Sequence, residues 1–160
     1  MHLRLGIPCR EKSQILMKIK YTALTLLMLF GLAQNAFGQQ VQTDENGFET
    51  FGYQEGDTTY IMKKYFMVFL KAGPERSQNA EEAAEIQEQH LAHIGWMADQ
   101  GYVDIAGPFA DNGDVRGILV MRVPNEEKAE ELAALDPAVK AGRLIMEIHP
   151  WWAAVGSSLK

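Results

Sequence analysis

Between Thr58 and Trp152 the hydrophobic pattern alternates between the period of a strand and that of a helix. "TTYIMKKYFMVFLKAG" is dense in β-branched and aromatic residues and closes at Gly73-Pro74, which predicts a strand from Thr58 to about Lys71. "SQNAEEAAEIQEQHLAHIGWMADQG" then takes the helical period. With Ile86 at zero and a step of about 100° per residue, Met97 falls at about 20°, Ala83 at about 60° and Ile94 at about 80°. Asn79 is placed as N-cap, Glu82 completes a capping box and Gly101 marks the stop. His90 falls at about 40°, inside the apolar stripe, whereas His93 at about 340° lies at its edge. Glu81, Glu82, Glu85 and Glu88 read as a solvated helix face.

A short strand "YVDIAG" is expected next, ended by Pro108, and the polar turn "ADNGDVRG" leads into a strand "ILVMRV". "PNEEKAEELAAL" predicts a second helix capped by Asn125. In the connector "DPAVKAGR", Pro137 can open one more helical turn and Gly142 can close it. "LIMEIHPWW" alternates Leu144, Met146 and Ile148 against Ile145, Glu147 and His149, and is expected to stop at Pro150. Strand, helix, strand, strand, helix, strand is the order of an α+β, ferredoxin-like βαββαβ sandwich with both helices on one sheet face. The other face needs a cover, so a face-to-face homodimer is expected.

Residues 58–155 thus read as the domain. The preceding residues 39–57, rich in Gln and Gly, read as a polar linker or loosely attached arm whose Phe48, Phe51 and Tyr53 dock on it. Residues 1–38 read as an N-terminal extension and export signal. Lys18 and Lys20 precede an apolar run from Ala23 to Ala33, and Ala36-Phe37-Gly38 offers small residues for cleavage after about Gly38. The run is shorter than the roughly 20 residues of a membrane span, so a periplasmic or secreted chain is expected, with no membrane anchoring after cleavage. A translation start at Met17 would remove Cys9, and no cysteine follows Gly38, which excludes disulfides, zinc thiolates and a cysteine nucleophile from the mature chain.

Residues 1–38 carry five of the 15 Lys and Arg and one of the 21 Asp and Glu, so residues 39–160 hold 10 against 20, a net charge of −10. Nucleic acid is therefore not an expected partner, because that binding runs on cationic contacts to phosphate. No Gly-x-Ser-x-Gly elbow and no phosphate-cradling loop is present. His90 and His93 are spaced to chelate, but a third ligand with its own signature is missing, so no metal is expected. Nor does any local feature require a cofactor, heme included, although His90 or His149 could serve as its axial ligand. What remains is a histidine on the buried side of a helix in need of a carboxylate. Asp136, Asp111 and Asp104 are all open as partners on spacing alone. The closing "HPWW" reads as the apolar end of an edge strand at a subunit interface, or as a pocket wall.

The segments "YFMVFLKAGP", "QEQHLAHI", "GYVDIAGPF", "GILVMRV", "LDPAVKAGR" and "EIHPWW", over roughly Lys64 to Trp152, together resemble the YCII-related family. The resemblance implies a dimeric α/β barrel and a histidine–aspartate acid–base pair, which fall here on His90 and Asp136. It also implies a small-molecule pocket, its rim shaped by Gly107 and Pro108. Phe109, His149 and Trp151 are expected as further substrate-binding residues on their own chemistry, as walls of that pocket. The expected function is proton-transfer chemistry of isomerase, lyase or dehalogenase type on a small organic acid or lactone. The alternative is a non-catalytic module that binds a small molecule or serves a stress response.

Overall fold

The computed structural model describes residues 40–159. The expected export signal, Cys9 and the alternative start at Met17 lie outside them. Three pairing elements open the described chain: β1 (Gln42–Thr43), β2 (Glu49–Glu55) and the long β3 (Thr58–Ala72). They are followed by α1 (Ala80–Asp99), β4 (Val103–Pro108), β5 (Val115–Met121), α2 (Glu126–Ala134), the single turn α3 (Pro137–Lys140) and β6 (Leu144–Ala154). The helices begin where the caps predict. The Asn79 side chain accepts from the Glu81 and Glu82 amides while the Glu82 carboxylate accepts from the Asn79 amide, and Asn125 accepts from Lys128 N–H.

All pairings are antiparallel, and β3 is the central strand of a ferredoxin-like βαββαβ core, with neighbours in the order β4, β5, β3, β6. Strand parity assigns the two faces. Phe66, Val68 and Leu70 on β3, with Leu119 and Met121 on β5, turn towards the helices and form the core with Met97 of α1 and Leu132 of α2. Burying one such side chain contributes about 1.5–3 kcal/mol, so this single layer accounts for the joining of α1 and α2 to the sheet. Tyr65, Met67 and Phe69 point to the opposite face, on which no helix of the described residues packs. No helix of the described residues is long and apolar enough to cross a membrane.

Two expectations need correction. The segment 39–57 is not a linker: β2 pairs with β3 from Thr50↔Lys63 to Glu55↔Thr58. Gly56, at φ 58°, is the first residue of the two-residue loop between them, a place where glycine relieves the turn of strain. Met62 and Lys63 pair with both β2 and β6, so β2 continues the edge of β3 that β5 occupies further along. Of the aromatics expected to dock, Phe51 meets Trp152 edge-on with ring centroids 4.8 Å apart, and Phe48 receives the Lys63 ammonium 3.7 Å above its ring. Nor does β6 stop at Pro150; it runs to Ala154 with Pro150 opposite Phe66. Among the described residues β6 has β3 as its one partner, and on such an edge strand a nitrogen facing away from the ladder needs no proton.

Two glycines bring the connector before β6 against the end of β3. A Cβ at Gly73 would lie 2.1 Å from the Gly142 carbonyl oxygen, and Gly142 itself sits at φ 66°. The Gly73 amide donates to Arg143 O and the Glu75 amide to Gly142 O. This seam sets the position of α3, and with it the residue that caps α3.

Candidate active site

Asp136 is that cap. Its Oδ1 accepts from the Ala138 amide at 2.7 Å, and Pro137 at the first helical position needs no acceptor. Its Oδ2 accepts from His90 Nδ1 at 2.6 Å, and the carboxylate is 2% exposed. Sequence separation is 46 residues, so the pair exists only because α3 packs on α1. A carboxylate can only accept, so Nδ1 of His90 carries the proton and the other ring nitrogen, Nε2, is left with its lone pair in the neutral ring. No described residue bonds to Nε2, and the His90 ring lines a cavity of about 460 Å³.

That cavity lies between α1 and the β4–β5 hairpin. Its wall is apolar, built by Leu70, Leu91, Ile94, Leu119 and Leu144. Gly107 and Pro108 also line it. The polar groups at the wall are His90, Gln87 and Arg116, and the last two were not reached from the sequence. The other aspartates weighed as partners are engaged elsewhere: Asp104 pairs with Arg122 at 3.1 Å, and Asp111 accepts from the Gly113 amide in the turn. His93 donates from Nε2 to the Leu132 carbonyl at 2.9 Å and stacks on Trp96, so it ties α1 to α2 and is no part of the cavity.

Three expected pocket residues lie outside this wall. Phe109 is 44% exposed and follows β4, where its amide donates to Arg116 O. His149 and Trp151 are opposite Met67 and Tyr65, on the helix-free face of the sheet. The physical reason is parity: Ile148 faces the helices, so His149 and Trp151 cannot. On that open face His149 donates to Glu147 at 2.8 Å and meets Phe69 edge-on. The hydrogen bond from His149, and after it that from Lys71, holds the Glu147 carboxyl below the ordinary carboxylate range. Hydrogen bonds to Glu147 and Asp114 in turn raise Lys71, and burial pushes the Tyr65 phenol up. Among the described residues no group of three or more His, Cys, Asp or Glu side chains converges to hold a metal.

A βαββαβ domain with a buried His–Asp pair at the wall of an apolar cavity defines the class. The chain belongs to the YCII-related family, whose model matches residues 65–152. No curated protein matches the chain significantly. Among solved structures it is similar to the 5-chloro-2-hydroxyhydroquinone dehydrochlorinase of Burkholderia phenoliruptrix, determined with 2,5-dihydroxybenzoquinone. The two share 20% identity over 54% of this chain and 92% of that one, with a TM-score of 0.43.

Proposed function

We propose that the protein is an exported homodimeric enzyme that moves protons on a small organic acid or lactone. His90 is the acid–base group and Asp136 its positioning residue. The observation that carries this reading is the histidine itself: Nδ1 is fixed by a buried carboxylate, while Nε2 stands unbonded at an apolar cavity of about 460 Å³, in the size range of small-molecule sites. In the reaction, Nε2 takes a proton from a carbon next to a carbonyl, and the electron pair moves into the carbonyl system. Returning the proton to a different carbon completes an isomerisation. Expelling a leaving group from the adjacent carbon, with its bonding pair, completes an elimination. The imidazolium formed in the first step is held by the Asp136 carboxylate. Export rests on the N-terminal pattern, and dimerisation on the helix-free sheet face that carries Tyr65, Met67, Phe69 and Trp151.

The test is turnover. Unsaturated lactone acids and β-halogenated acids are incubated with the protein in heavy water, and proton NMR reads product formation and deuterium uptake. The expected result is conversion of at least one compound, with kcat/KM falling by about 100-fold or more in His90→Ala and in Asp136→Asn. Unchanged turnover in correctly folded His90→Ala would sink the reading.

A further inference from the structure

We infer that Arg116 is an anion-binding residue of the same cavity and that the ligand it selects carries a carboxylate on a small apolar body. The inference rests on the reading above for the identity of the site and goes beyond it by naming what holds the substrate and in which orientation.

Arg116 reaches the cavity through a defect in the sheet. On β5, Gly117 and Leu119 face the helices, so strict alternation would send Arg116 to the opposite face. The ladder breaks there: Leu70 pairs with Gly117 but Lys71 pairs with Val115, which leaves Arg116 as the extra residue of a β-bulge. A bulge lets its side chain leave the strict alternation, and Arg116, a solvent-exposed residue, stands among those lining the cavity beside Gly117, with His90 on the α1 side. The bulge is held from both sides, since Arg116 O accepts from the Phe109 amide and Asp114 O from the Ala72 amide. Gly117 completes the arrangement. A Cβ there would lie 2.9 Å from the Gly107 carbonyl oxygen, so glycine is what lets β4 close on the bulge.

The guanidinium has no carboxylate partner among the described residues. Lys71, opposite the bulge, is already engaged with Asp114 and Glu147 at 3.4 and 3.3 Å. In a chain whose residues 39–160 carry a net charge of −10, Arg116 is, among the described residues, the one Lys or Arg that lines this apolar cavity. A guanidinium grips a carboxylate through two parallel N–H donors, fixing orientation as well as affinity. Gln87, the remaining polar group, is neutral and cannot tell an acid from its amide. A single arginine matches a singly charged carboxylate; a phosphate dianion calls for more cationic contacts than this wall provides. With the carboxylate on Arg116, the apolar body of the ligand extends towards Nε2 of His90.

Calorimetric titration of the purified protein with benzoate, benzamide and phenyl phosphate tests the inference. Benzoate is expected to bind about tenfold or more tightly than benzamide, and more tightly than phenyl phosphate. Arg116→Gln should abolish the preference for benzoate while leaving benzamide binding in place, which also reports an intact fold. Arg116→Lys, which keeps the charge and loses the fork, should fall between. Benzoate binding that is absent from the wild type, or equal in wild type and Arg116→Gln, overturns the inference, as does tighter binding of phenyl phosphate. His90→Ala should retain the preference, so a failure of the acid–base reading appears in turnover and a failure of the anion site appears here.

Discussion

At the scale of the residue, His90 and Asp136 each satisfy a local rule that can be read separately. His90 falls inside the apolar stripe of α1, and the structure buries it to 8% exposure. Asp136 precedes Pro137 and caps a turn. What joins them is tertiary, and three aspartates were equally eligible on spacing until α3 was placed by the Gly73–Gly142 seam. The pair also bears on stability. Asp136→Ala removes the cap of α3 and leaves the Nδ1 proton of His90 without an acceptor. Thermal or urea unfolding should show a loss of about 2–4 kcal/mol, from a cap worth about 1 kcal/mol and a stranded buried donor worth about 1–3 kcal/mol. Asp136→Asn retains an acceptor for the Ala138 amide and should lose less. Arg116 was beyond the sequence for a definite reason. Alternation assigns it to the far face, and the register slip at Leu70/Lys71 that breaks this alternation exists only in the folded sheet.

At the scale of the element, the pattern was most legible where hydrophobic period and capping agree. Both long helices start at the asparagines that the spacing picks out, and β3 ends within a residue of the expected stop. The misreadings have physical causes. The segment 39–57 is polar in composition, yet Gly56-Asp57 between "TFGYQE" and "TTYIMK" is a two-residue hairpin signal, and pairing geometry outweighed composition there. Pro150 predicts a strand stop, but among the described residues β6 lies at an edge and pairs with β3 alone, so the missing N–H costs it no ladder bond. "HPWW" reads as the end of an edge strand or as a pocket wall, and the period of β6 sends His149 and Trp151 to the far face, away from the cavity.

At the scale of the whole molecule, the two sheet faces divide the work. The helix face builds the core and the cavity; the opposite face presents Tyr65, Met67, Phe69 and Trp151, with Trp151 40% exposed. If that face pairs two copies as proposed, the protein should run in light scattering at twice the monomer mass. Phe69→Glu should then yield monomers, since an unpaired charge in the centre of a desolvated interface is strongly unfavourable. A wild-type monomer would rule out pairing through this face. Nitrogen-15 NMR of the histidine side chains at neutral pH reads most directly whether Asp136 fixes the His90 ring so that Nε2 serves the cavity. The expected spectrum shows a proton on Nδ1 of His90, shifted downfield by its bond to Asp136, and an Nε2 resonance that moves when benzoate is added. A ring protonated on Nε2 alone, or one blind to the ligand, would contradict it.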